Sequence, residues 1–135
     1  MNIGRKLLMI SGFGQVIGAV MPWTIVTTAL GRTSSSGLGG GGGDGLITGG
    51  IGVILIFLGL LSNSNTDKRL SVFGTLLSLF AGFLLFNIFL SIGRIARENE
   101  ILIQTGFGLY ISIISSIFGV LSGLFQNPQA SSKKE

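Results

Sequence analysis

Twenty-three consecutive residues, Leu70 to Ile92, carry no charged side chain, no proline and no histidine. A helix rises about 1.5 Å per residue, so a run of that length crosses the roughly 30 Å hydrocarbon core of a bilayer. In lipid every backbone N–H and C=O must find its partner inside the protein, and an α-helix achieves this within one segment. The run therefore predicts a membrane-spanning helix, and it makes lipid the solvent against which the rest of the chain is read.

Three further apolar segments follow the same logic. Residues 7–26, 46–62 and 101–125 read as spans one, two and four around span three at 70–92. Only 10% of the 135 residues are charged, 47% are hydrophobic and the mean hydropathy is +0.72, too few polar side chains to cover a soluble surface of this size. Four spans with short connections use nearly the whole length, so one membrane domain is expected: an all-α, integral membrane four-helix bundle. A basic start followed by an apolar stretch also describes a signal peptide. Here the apolar part is long, Gln15 interrupts it and no strong small-residue cleavage site follows, which favours a retained span.

The connections are read from their polarity. Residues 27–45, with five consecutive glycines at Gly39 to Gly43, read as a flexible Gly/Ser-rich outer loop. Residues 62–69 form a short turn that makes spans two and three antiparallel neighbours. Residues 93–100 form a charged connection, and 126–135 a polar cytoplasmic tail. With both termini inside, the inner side holds Arg5, Lys6, Lys68, Arg69, Lys133 and Lys134, and the outer side Arg32, Arg94 and Arg97. Six against three favours cytoplasmic termini. The expected location is a bacterial inner membrane or an internal membrane. The nine basic residues form no single patch, so the net charge of +4 does not point to nucleic acid.

Helices in lipid associate through close packing of small residues and interhelical hydrogen bonds. Gly14 and Gly18 in span one, Gly74, Ser78 and Gly82 in span three, and Gly108, Ser112 and Ser116 beside Ser115, Gly119 and Gly123 in span four form such stripes. They read as helix-packing surfaces or as docking surfaces for a partner, and span four carries more of them than one neighbour needs. Gln15, Asn87 and Tyr110 are the strongest polar groups within spans, each suited to a helix–helix hydrogen bond of about 1 kcal/mol or to lining a solute path. Trp23 beside Pro22, and Arg94 with Arg97, read as interface anchors. Asp44 stands where it caps span two.

Chemistry is sparse. The chain has no cysteine and no histidine, which removes thiolate and imidazole catalysis and the usual zinc and haem ligands, and no ionisable residue falls at mid-membrane as ion-coupled transport requires. Gly12-Phe13-Gly14 with Gly18 lacks the spacing of a dinucleotide turn, and the loop glycines lack the Lys and Ser/Thr of a phosphate loop. No cofactor, metal or catalytic residue is expected. The composition points to a non-catalytic accessory or scaffold subunit whose partners are the bilayer and other transmembrane proteins or further copies of itself. The alternative is a homo-oligomeric channel or facilitator with an uncharged Gly/Ser/Thr/Asn path.

Pro22-Trp23, Gly43-Asp44-Gly45 and Gly106-Phe107-Gly108-Leu109-Tyr110 together resemble motifs of small bacterial four-span membrane proteins. In layout alone the chain is similar to claudins, but the cysteine pair of their first loop is missing here. The resemblance implies a tetraspan fold and no activity.

Overall fold

The computed structural model describes residues 3–39, 43–61, 67–98 and 102–125. Four helices, α1 (Ile3–Val20), α2 (Asp44–Leu61), α3 (Asp67–Glu98) and α4 (Phe107–Leu124), alternate with three strands, β1 (Pro22–Thr28), β2 (Gly31–Ser36) and β3 (Leu102–Thr105). Each helix is long and apolar enough to cross a membrane. The three 18-residue helices measure about 27 Å each and the 32-residue α3 about 48 Å.

Helix α1 lies between α2 and α4, and α3 fills the remaining corner, packed on α4 and more loosely on α2. The strands gather at the bundle end where α1 and α3 finish and α2 and α4 begin, forming an antiparallel sheet in the order β2-β1-β3. Pairing runs from Pro22 opposite Ser36 to Thr28 opposite Gly31 on one side of β1, and from Thr24 opposite Thr105 to Thr27 opposite Leu102 on the other. Ala29 and Leu30 form the hairpin tip, and Gly31 beyond it takes φ +138, a backbone region a side chain would strain.

This sheet corrects three sequence expectations. Span one was read to residue 26, but α1 ends at Val20 because Pro22 has no N–H to continue it and disfavours helical geometry at Met21. The β-branched run Thr24 to Thr28 then continues as strand. The 27–45 loop is not wholly flexible: residues 27–36 belong to the hairpin, while Gly40 to Gly42 lie outside the described residues. Span four was read from residue 101, but Leu102 to Thr105 pair with β1 and the helix starts only at Phe107. The reading of 93–100 as a connection also fails in part, since α3 stays helical to Glu98. The fold is thus mainly helical with a small sheet rather than all-α. The tail from residue 126 and most of the 62–69 turn lie outside the described residues.

Two helix ends show how the backbone is satisfied. At the start of α2 the Gly43 carbonyl accepts from Leu46 N (3.1 Å) and Ile47 N (3.0 Å), so Gly43, at φ +70, holds the cap position expected of Asp44. Asp44 is the first helical residue instead, where a carboxylate favours the positive end of the helix dipole. At the other end of α2, Arg5 donates through Nε to the Gly59 carbonyl and through Nη2 to the Leu60 carbonyl at 2.8 Å. Those carbonyls have no partner within their own helix, and a cation there also meets the negative end of the dipole.

Close glycine contacts set the helix spacing. A Cβ on Gly18 would lie 2.8 Å from the Gly108 carbonyl, and one on Gly12 2.6 Å from the Gly52 carbonyl. Gly50, by contrast, has open space where its Cβ would stand. We predict that Gly18→Val lowers unfolding free energy in detergent by about 1–3 kcal/mol through overpacking. Gly50→Ala should leave it within about 0.5 kcal/mol or raise it slightly. Chemical or thermal unfolding followed by circular dichroism checks the pair.

Candidate functional site

The small-residue stripes all lie between helices of this chain. Gly14 faces Ser115 and Gly18 faces Ser112 and Gly108, which joins α1 to α4. Gly119 faces Ser11 and Ser78, Gly82 faces Ser116, and Gly123 faces Thr75, which joins α4 to α3. Gly74 takes up Leu8 of α1. Both stripes of α4 are therefore covered by α1 and α3, and neither is left for an outside partner. Much of the polarity on these stripes is turned back on its own helix: Ser78 donates to the Gly74 carbonyl (2.9 Å), Ser116 to Ile113 (2.7 Å) and Ser122 to Gly119 (2.6 Å).

The intramembrane polar residues do not converge. Gln15 is fully buried. Asn87 is exposed and donates through Nδ2 to the Phe83 carbonyl at 2.8 Å, one turn back along α3. Tyr110 is 45% exposed and meets Phe89 edge to face, with ring centroids 6.1 Å apart. Arg94 and Arg97 are exposed on the last turns of α3, and Glu100 lies outside the described residues. Among the described residues, no group of three or more His, Cys, Asp or Glu side chains is placed to hold a metal ion.

Trp23, the third expected anchor, is packed differently. Its side chain is turned into the protein, 5% exposed, and plugs the sheet end of the bundle. The β1–β2 register shifts between Pro22 and Thr24, and such an irregularity re-aims the residue within it. The indole Nε1 donates to the Gly18 carbonyl at 2.7 Å, the Trp23 carbonyl accepts from Gly106 N at 2.7 Å, and the ring packs with Leu85, Ile92 and Leu109. Gly37 lies flat between the indole and the Gly45 backbone, where a Cβ would come 2.7 Å from Trp23 Cζ2. A single residue thus ties β1 to α1, α3, α4 and the entry to α2. The only sequence signal for this was the lone tryptophan beside a proline.

A groove on the surface lies outside the bundle's own packing. Between α3 and α4 an outward groove of about 750 Å³ is walled by Leu76, Leu79, Phe80 and Phe83 on one side and Ile113, Ile117 and Leu121 on the other, with Ser78, Gly82 and Ser116 also lining it. Because Ser78 and Ser116 have spent their hydroxyls on their own helices, the groove offers almost no hydrogen bonding. It suits an apolar occupant: acyl chains or an apolar helix.

Comparison with known protein families, characterised proteins and solved structures finds no match to this chain, so geometry alone bears on what it does.

The burial of Trp23 is directly readable, because it is the chain's only tryptophan. Its fluorescence should be blue-shifted and resist both aqueous acrylamide and lipid-borne quenchers. Trp23→Ala should cost about 3–5 kcal/mol of stability. A red-shifted, readily quenched emission would show the indole at the headgroup interface instead.

Proposed function

We propose that the chain is a non-catalytic integral membrane protein that spans the bilayer four times, with both termini cytoplasmic and the sheet outside, in a bacterial inner membrane or an internal membrane. Its role is that of a small accessory or scaffold subunit, which packs against a larger membrane complex or against copies of itself. Orientation is supported by the excess of basic residues on the inner side, six against three.

The observation that carries this reading is the contrast between the bundle's inside and α3's outside. The glycine and serine stripes are consumed within the monomer, whereas the outer side of α3 exposes Val72, Phe73, Leu76, Leu79, Phe80, Phe83 and Phe86. Lipid tails provide no hydrophobic drive between helices, so shape decides association, and a recess is the shape that rewards a protruding partner helix over mobile acyl chains. The tight glycine contacts of the α1–α4 seam speak against a solute path along that seam, which ranks the channel alternative lower.

Native extraction in mild detergent, with the mass of the particle measured and every co-migrating polypeptide identified, tests the proposal. Recovery at fixed stoichiometry with larger membrane proteins is expected, and Leu79→Trp, which crowds the groove from its exposed wall, should release them while the protein remains folded. A closed ring of identical chains that conducts in liposomes would replace the accessory reading with the channel.

A further inference from the structure

The apolar core is interrupted at mid-depth. One cluster gathers Leu8, Ile51, Leu55, Leu58 and Ala81, and a second gathers Trp23, Leu85, Ile92 and Leu109. On α1 the buried positions between Leu8 and Trp23 are small or polar: Ser11, Gly12, Gln15, Gly18 and Ala19. Ser11, Gln15 and, on α4, Ser112 are each 0% exposed. The Ser11 and Ser112 hydroxyls and both polar atoms of the Gln15 amide have no hydrogen-bond partner in the protein.

Four polar atoms in one stretch of core demand an explanation, because a buried amide or hydroxyl left unpaired costs about 1–3 kcal/mol. Two further buried hydroxyls, Ser71 and Thr75 on α3, also lack a partner, whereas other serines of the bundle show the ordinary solution. Ser78, Ser91, Ser116 and Ser122 each donate to a carbonyl three or four residues back in their own helix. Ser11 and Ser112 do not; their oxygens lie in the seam, Ser11 Oγ against Gly119 and Ser112 Oγ against Gly18.

The spacing brings these groups to neighbouring levels. Ser11 and Gln15 are one turn apart on the same side of α1, about 6 Å along the axis, and Gly18, which Ser112 faces, is about 4.5 Å further on. The Gln15 amide stands at the end of a two-methylene stem, long enough to reach up or down the helix axis by several ångströms. No direct bond joins them, and an unpaired amide beside unpaired hydroxyls calls for a molecule that both donates and accepts. Gly52 and Gly12 hold α1 and α2 so close, with a Cβ on Gly52 only 3.0 Å from Gln15 Cβ, that nothing as large as a metabolite fits beside the glutamine stem.

We infer that Gln15, Ser11 and Ser112 form an internal water-binding site, in which ordered water bridges the amide to the two hydroxyls and hydrates the middle of the bundle. Buried waters of this kind characteristically make about three hydrogen bonds to groups that lack protein partners. The inference concerns the monomer's interior and stands apart from the accessory role.

Water-selective cross-relaxation measured by NMR on the wild-type protein, 15N-labelled in deuterated detergent, tests it. The Gln15 side-chain NH2 should show cross-peaks to water with the sign of a long-lived bound molecule, and Ser112→Ala should weaken them. Gln15→Met, which keeps length and removes hydrogen bonding, should lower the melting temperature by a few degrees, because a hydrated amide stabilises the fold and an unpaired one opposes it. Absent water cross-peaks in a folded sample, or a melting temperature that rises with methionine, would overturn the site. If the methionine variant fails to fold, the wild-type cross-peaks decide alone.

Discussion

The contact between the first and last helices is the interaction on which the rest of the molecule depends. Gly14 and Gly18 of α1 meet Ser115, Ser112 and Gly108 of α4 so closely that no side chain fits on the glycines. In lipid, burial from water does not hold helices together, and that dense contact supplies the dispersion energy that replaces it. It also governs the sheet. Strand β1 leaves α1 and β3 enters α4, so docking these two helices places Val26 beside Ile103 and Ile25 beside Gln104, far apart in sequence. Trp23 secures the junction from above, bonding back to the Gly18 carbonyl that the seam already uses.

A hierarchy of partners follows for the other helices. Helix α2 is tied at both ends, by Gly43 and Gly45 near the sheet and by Arg5 at its far carbonyls. Helix α3 is the longest and has only one extensive partner, α4. Phe80, Phe83 and Phe86 face outward along a recess. That asymmetry, a closed core with one open-sided helix, is the physical basis for reading the protein as a component that leans on something else in the membrane.

Much of this was legible in the residues. Hydropathy located four helices because a bilayer imposes a length and an apolarity that few other environments demand. The strands were harder. Arg32 to Ser36 carries little strand propensity, and it becomes a strand because β1 offers it a pairing edge. Leu102 and Ile103 look like the opening of a helix because a short apolar run has no period of its own, and only their pairing with Thr27 and Val26 distinguishes them. The β-branched Thr24 to Thr28 run did carry a strand signal, overridden by its position at the end of an apolar span. The inward packing of Trp23 was hidden for a related reason. Residue type suggested an interface, whereas burial followed from a register shift and from two glycines, Gly37 and Gly106, whose lack of side chains leaves room for it. Arg5 counted as one inner charge among six, and its bonds to the α2 carbonyls depended on a helix packing that no local pattern encodes.

The proposed topology has four crossings with the sheet on the outer side. The chain has no cysteine, so single cysteines can be placed without competition. Ser34, exposed on β2, and Ser64, which follows α2 and precedes α3 in the sequence, are the informative positions. Each variant in intact cells should be treated with a membrane-impermeant maleimide and compared with permeabilised cells. Ser34→Cys should label in intact cells and Ser64→Cys only after permeabilisation. Labelling of Ser64→Cys alone in intact cells would invert the topology, and labelling of both would mean that the segments between them do not cross the bilayer as described.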